Sequence, residues 1–340
     1  MTRVALTGIG FMGKTHLGVY HRLPNIEVVA VCDVQQDRTE ITSLDAGGNI
    51  AAATGSVDIS SARRYTDFAK MLAEGGFDLV DICLPTSLHA EYSIEALRKG
   101  YHVFCEKPMA LTGEEADRVI DEVERSGLLF SVGQCLRFWP AYVEAKKIID
   151  SGRYGAVRYA EYARFSATPT WAADNWLADA KRSGSAALDL HIHDVDMILY
   201  IHGRPESVRS SGIIERDGSI PHISTLYRYD GPVVTSTGGW LCSDSFGFNM
   251  RAMWVLEGAT VELDFSKEHQ LTLCPKGGKR EAVALPEGDG YYHELADFCD
   301  AAATGRRPGI VTARSAAETV KLCLLEMRSA RESRELPVKL

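Results

Sequence analysis

Residues 8–13 read GIGFMG, directly after the strand-like run RVALTG (3–8) and at the opening of a helix-length segment that extends to about residue 23. The glycines have the G-x-G-x-x-G spacing, and in this context each has its own physical task. Gly8 allows a tight turn out of the strand. Gly10 lets the backbone come close to a pyrophosphate, and Gly13 lets helix and strand pack closely, while the helix N-terminus supplies positive potential for phosphates. Phe11 and Met12 complete the loop between them. By itself such a motif is weak, but Asp33 stands twenty residues beyond Gly13, at the end of the next apolar run IEVVAVC (26–32). A carboxylate there accepts hydrogen bonds from both ribose hydroxyls and repels a 2′-phosphate. Together these residues predict a dinucleotide site that takes NAD in preference to NADP, with Arg38 placed to stack on the adenine.

Outward from this unit, β-branched runs keep alternating with amphipathic segments: a helix at 66–74, DLVDICL (78–84), a helix at 88–99, YHVFC (101–105), a helix at 113–126, and LLFSVG (128–133). Such alternation means a doubly wound parallel sheet with crossover helices. Thr112 and Glu115 have capping-box spacing for the last helix. After a helix at about 140–151 the pattern turns to period two, in VRYAEYARF (157–165), HISTLYRY (222–229), AMWVLEG (252–258) and TVELDF (260–265). Turn signals at Asp230-Gly231 and Gly277-Gly278 make these runs antiparallel. Two domains are therefore expected: an α/β dinucleotide-binding domain over 1–133, and an α+β domain over 134–340 with a conspicuous helix at 186–202 and two closing helices at 291–304 and 312–332. The stretch AGGNIAAATGS (46–56) reads as a flexible surface loop.

Composition narrows the function. A chain of 340 residues with 45% apolar side chains suits two cores. The net charge of -9 and pI near 5.6 argue against nucleic acid, whose binders need a basic face to displace counterions. No apolar stretch approaches the ~20 residues that cross a bilayer. The opening MTRVALTGIG is strand-like from its third residue, so a cytoplasmic protein without membrane partners is expected. The eight cysteines, among them Cys32, Cys83 and Cys105, show no CxxC or other ligand spacing and read as reduced core residues.

Taken together, GIGFMG, VCDVQQDR (31–38), CLPTSLHAEYSIEALRKGYHVFCEKPMAL (83–111) and SGSAALDLHIHDVD (183–196) resemble the glucose-fructose oxidoreductase / inositol dehydrogenase / rhizopine-catabolism family, Gfo/Idh/MocA. The resemblance covers nearly the whole chain, and Glu106-Lys107-Pro108 is its most specific piece. It implies a Rossmann fold followed by an open, largely antiparallel sheet. It also implies Leu84, Pro85, His89 and Glu106 beside the cofactor, Lys107 at the nicotinamide and the substrate hydroxyl, and a cis Lys107–Pro108 bond. Residues after the fifth strand of such a fold lie at the cofactor crevice. The next most specific piece is Asp189-x-x-x-His193. Four apart on a helix, these residues share one face, about 100° round from the apolar stripe Leu188, Ile192, Val195 and Leu199.

The family usually shows two or three glycines before this aspartate and a small residue two positions after it. Here the stretches are Gly184-Ser185-Ala186-Ala187 and His191, which leaves substrate specificity open. On one helix His191 and His193 point about 200° apart, so no shared metal is expected. Arg137 matches a family arginine at the domain junction, with a cofactor contact and an interdomain salt bridge as the alternatives. Trp171 and Trp176 in the 168–183 loop have faces suited to a sugar ring or the nicotinamide, or equally to core packing. The function these residues imply is hydride transfer between a secondary hydroxyl of a sugar, cyclitol or related polyol and NAD. Lys107, Asp189 and His193 would be the catalytic residues. The alternatives are a dinucleotide-sensing regulator of the same fold and a dehydrogenase of a non-sugar diol. An open sheet face also calls for a partner surface, so a homodimer or homotetramer is expected.

Overall fold

The computed structural model describes residues 1–41, 44 and 57–340; the expected loop at 46–56 lies outside them. The chain forms two units. The first comprises Met1–Cys135, Thr170–Ser183 and Tyr291–Val320, and the second Leu136–Pro169, Gly184–Gly290 and Lys321–Leu340. A single boundary after residue 133 is thus replaced by a discontinuous division.

In the first unit, strands β1 (Thr2–Thr7), β2 (Ile26–Cys32), β3 (Arg63–Tyr65), β4 (Leu79–Ile82), β5 (His102–Cys105) and β6 (Phe130–Val132) form one sheet in the order 3-2-1-4-5-6, with every pairing parallel. The crossover helices are α1 (Phe11–Arg22), α2 (Phe68–Glu74), α3 (Thr86–Arg98) and α4 (Gly113–Ser126). Sheets covered on both faces bury whole strands, and all four residues of β4 are buried, Asp81 included. The order reverses between β1 and β4, which opens a crevice at their carboxyl ends. The expected capping box is present: Thr112 Oγ1 accepts from the Glu115 amide at 3.1 Å, and Glu115 Oε2 accepts from the Thr112 amide at 3.2 Å. Two later segments join this unit. The 170–183 segment includes the short helix α6 (Ala180–Ser183), and the 291–320 segment brings most of α9 (Gly290–Thr304). Leu295 and Phe298 of α9 enter the core of the parallel sheet, with the Phe298 ring 5.5 Å from Phe104.

The second unit holds α5 (Pro140–Asp150), β7 (Val157–Ser166), α7 (Ser185–Asp189), α8 (Ile192–His202), β8 (Ser207–Ile213), β9 (His222–Arg228), β10 (Val233–Gly239), β11 (Phe248–Leu256), β12 (Ala259–Asp264), β13 (Leu271–Pro275), β14 (Glu281–Ala282), the 321–332 part of α10 (Ala313–Glu332), and β15 (Leu336–Pro337). Its nine strands run 14-13-12-11-7-10-9-8-15. All pairings are antiparallel except that of β7 with β10. Side chains alternate along β9, with Ile223, Thr225 and Tyr227 buried and Ser224, Leu226 and Arg228 facing out, as a sheet with one covered face requires. Glu161, Arg209, Leu226, Thr235 and Arg251 line a groove of about 370 Å³ on the sheet.

Candidate active site

The glycine turn divides its three glycines by what each one faces. Gly8 has φ +89°, and a Cβ there would stand 2.4 Å from the Cys83 carbonyl oxygen at the end of β4. A Cβ on Gly13 would stand 2.0 Å from the Gly8 carbonyl oxygen, whereas one on Gly10 meets nothing within 4 Å. The protein itself demands Gly8 and Gly13, while Gly10 faces open space of the kind a pyrophosphate needs. The first turn of α1 carries no acidic side chain, so its unpaired N–H groups and positive end remain suited to phosphate. Asp33 is buried beside this turn. Its Oδ2 accepts from the Ile9 amide at 2.8 Å and its Oδ1 from the Gln35 amide at 2.9 Å, and Arg38 Nη1 lies 3.8 Å from Oδ2. Phe11 and Met12, both half-buried, begin α1, and the Trp171 ring lies 4.9 Å from that of Phe11. Trp171 therefore stands beside the glycine turn, and the residues present fit NAD. Trp176 is half-buried in the turn at 173–178, where Asp174 and Asn175 have φ +51° and +48°.

The Glu106-Lys107-Pro108 segment follows β5, and the Lys107–Pro108 bond is cis. Leu84 flanks the glycine turn, its Cδ2 3.0 Å from where a Gly8 Cβ would be, and Pro85 caps the start of α3. His89 is buried, with Nδ1 2.6 Å from the Pro108 carbonyl and Nε2 2.7 Å from the Leu84 carbonyl. Burial holds its pKa below the ordinary value, and a neutral ring donates to one of the two carbonyls. His89 thus builds the loops and presents no free edge to a ligand. Glu106, expected beside the cofactor, is also buried; its Oε2 accepts from the Lys107 amide at 3.2 Å. Lys107 itself is half-buried.

Beneath this segment lies a buried polar cluster that sequence reasoning missed. His16 Nδ1 is 2.8 Å from Asp81 Oδ2, Tyr20 donates to the same oxygen at 2.9 Å, and Cys83 Sγ is 3.3 Å from His16 Nδ1. On the other side of the ring, Nε2 stands 3.1 Å from Glu106 Oε1, an ion contact out of line for a hydrogen bond. Burial opposes the charged form of His16, but Asp81 and Cys83 together outweigh it and push the imidazole pKa well above the ordinary value, which favours the charged ring. His16, Glu106 and Glu294 offer ligand atoms within 4.8 Å of one another, as do His16, Asp81 and Cys83. A single ring serves both groups, however, and its nitrogens already face carboxylates, so charge pairing accounts for the geometry. The available signal was Asp81, an acid inside the apolar run DLVDICL.

In the second unit the expected continuous helix at 186–202 is two helices. α7 ends at Asp189 and α8 begins at Ile192, with Leu190 and His191 between them. Both intervening residues keep helical torsions, yet the amides of Leu190 and of His191 bond to the same Ala186 carbonyl, at 3.0 Å each. Asp189 and His193 are therefore not set by one uninterrupted helical ladder. Asp189 is buried and His193 half-buried. His191 is fully buried, with Nε2 2.7 Å from Glu326 Oε2. Asp194 receives the Arg164 fork at 3.0 and 3.2 Å, and Asp196 that of Arg137 at 2.7 and 2.8 Å. Arg137 also lies 4.7 Å over the Tyr200 ring. Its fork thus makes an ion pair inside the second unit, where the sequence had left an interdomain bridge or a cofactor contact open.

Comparison with known proteins agrees with this architecture. The chain is 26% identical to the scyllo-inositol 2-dehydrogenase (NAD(+)) of Bacillus subtilis, across 99% of this chain and 96% of that protein. It is 31% identical to the levoglucosan dehydrogenase of Pseudarthrobacter phenanthrenivorans over 67% of this chain and 60% of that enzyme. A levoglucosan dehydrogenase solved with NADH and levoglucosan shares the fold, with a TM-score of 0.84 at 19% identity over 100% of both chains. The family model for the NAD-binding Rossmann fold of this oxidoreductase family matches residues 2–134, and that for the GFO/IDH/MocA C-terminal domain matches 142–256. With models matching 2–134 and 142–256, well over half of the chain, the chain belongs to the GFO/IDH/MocA oxidoreductase family.

Proposed function

We propose that this protein is an NAD-dependent dehydrogenase acting on a secondary hydroxyl of a sugar, cyclitol or related polyol. The observation that carries the cofactor half is the glycine turn, where Gly10 alone opens outward and Asp33 is tied to the Ile9 amide beside it. The substrate class draws on relatives named for inositol and levoglucosan dehydrogenation. NAD, when bound, accepts the hydride. His193 takes the hydroxyl proton, Asp189 orients that imidazole and steadies its protonated form, and Lys107 donates to the oxygen as negative charge develops. Trp171, against Phe11 at the glycine turn, covers the cofactor, and Trp176 contributes to the substrate side. The test is a reduction screen with NAD and NADP across inositols, free sugars, sugar acids and nucleotide sugars. At least one polyol should turn over with NAD. NADH should bind at least about tenfold more tightly than NADPH, and Asp33→Ser should narrow that gap. Equal titration curves for the two cofactors on the unmodified protein would overturn the assignment.

The outward residues of the second sheet, with Leu226 and Val233 about half exposed, support a second copy packing on that face as a homodimer or homotetramer. Sedimentation showing only monomer at micromolar concentration would count against this. All eight cysteines are free, which supports a reducing, cytoplasmic setting. Among the described residues no helix is long and apolar enough to cross a membrane.

A further inference from the structure

Between the two residues read here as handling the proton stands a histidine that the mechanism does not use. His191 occupies the junction of α7 and α8, two positions after Asp189 and two before His193. Its ring is fully buried in a socket built from three elements. Glu326 of α10 meets Nε2 at 2.7 Å, and Ser236 Oγ of β10 lies 3.5 Å from Nδ1. Thr225 of β9 donates to the same Glu326 oxygen at 3.2 Å. Thr225 in turn shares a 2.8 Å hydroxyl contact with Ser210, whose amide donates to Ser329 Oγ of α10 at 2.9 Å. On the α8 side, Asp194 and Asp196 are held by the buried arginines Arg164 and Arg137. A buried carboxylate left without its donor bears its full desolvation cost, so the His191 contact is strongly held.

In an uninterrupted helix, backbone hydrogen bonds would set Asp189 and His193 relative to each other. Here that ladder is disturbed between them, and the side chain inside the disturbance is the one anchored to Glu326. We propose that His191 and Glu326 form a positioning pair, whose buried contact fixes the relative placement of Asp189 and His193. The pair touches neither substrate nor cofactor, and its role rests on the reading of Asp189 and His193 given above.

Two substitutions separate contact from mere bulk. His191→Gln keeps a donor at about the reach of the ring Nε2, while His191→Asn keeps an amide too short to meet Glu326. In the full-length protein, His191→Asn should lower kcat on the best substrate of the screen by about 10–100-fold, the usual effect of misplacing a reacting group by an ångström. NADH affinity should not change. The His193 imidazole titration, followed by NMR and assigned with His193→Gln, should be displaced because the Asp189 carboxylate no longer stands where it did. His191→Gln should match the unmodified protein in both readouts, and a displaced titration there overturns the proposal by itself. So does a folded His191→Asn protein with native kcat and native His193 titration, or one that loses NADH binding in parallel with kcat. If His191→Asn does not fold, Glu326→Ala opens the same gap from α10 and carries the same expectations. His193→Ala, run alongside, keeps the two ideas apart. Native turnover in that variant sinks the catalytic reading, whereas its inactivity beside a native-like His191→Asn sinks only the positioning pair.

Discussion

Lys107→Met and His193→Ala are each expected to cut turnover by about 10²–10⁴-fold while NADH affinity changes little, the range for an acid-base group or a donor to developing charge. Both residues are half-buried, so each keeps a part that solvent reaches. In the roles proposed above, Asp189→Asn keeps the shape and removes a charge assigned to steadying protonated His193, so its loss should be smaller and its pH-rate profile displaced. The three changes should combine non-additively, because groups serving one proton transfer act as a unit. Single-turnover and steady-state rates with the best substrate, beside NADH titrations, provide the measurement. Near-normal turnover in His193→Ala together with lost NADH binding in Lys107→Met would make Lys107 a cofactor anchor and leave the base elsewhere.

The second large effect is a contrast between neighbouring glycines. Gly13→Ala forces a Cβ to within 2.0 Å of the Gly8 carbonyl oxygen. Backbone has to shift to relieve such a contact, so stability should fall by about 1–3 kcal/mol or more, as overpacking does. NADH binding should be lost with it. Gly10→Ala meets nothing within 4 Å and sits at φ -84°, a torsion alanine adopts freely. Its stability should therefore stay within about 1 kcal/mol of the unmodified protein. NADH affinity should nevertheless fall at least about tenfold, since the added methyl occupies the approach of the pyrophosphate. Urea unfolding beside NADH titration reads both quantities. Equal destabilisation by the two changes, or native NADH affinity in Gly10→Ala, would mean that the turn has been assigned to the wrong task.

What was legible in the chain was what its signals encode over short distances. The glycine spacing, Asp33 at the end of β2, and Thr112 with Glu115 each act within one strand–turn–helix or one helical turn, and the structure has all three arrangements. What was not legible depends on partners far away in sequence. Residues 186–202 have the period of one helix, and the torsions at Leu190 and His191 are helical, yet the helix divides where His191 meets Glu326. The buried roles of His89 and Glu106 depend on the Pro108 carbonyl for the first and on the His16 ring of α1 for the second. Likewise, no periodicity says that 170–183 and 291–320 belong to the first unit, because an amphipathic face states that it needs a core without stating which one.

That last feature bears on the order of events while the chain is being made. The parallel sheet of the first unit is complete in strands by Val132, but part of its core, including Leu295 and Phe298, is contributed by α9. As the N-terminal part emerges from the ribosome, Phe104 has its strand neighbours and the His16 ring but lacks that of Phe298. The first unit to be synthesised thus cannot finish closing until α9 has been made, and until then it exposes apolar surface of the kind that chaperones and aggregation compete for.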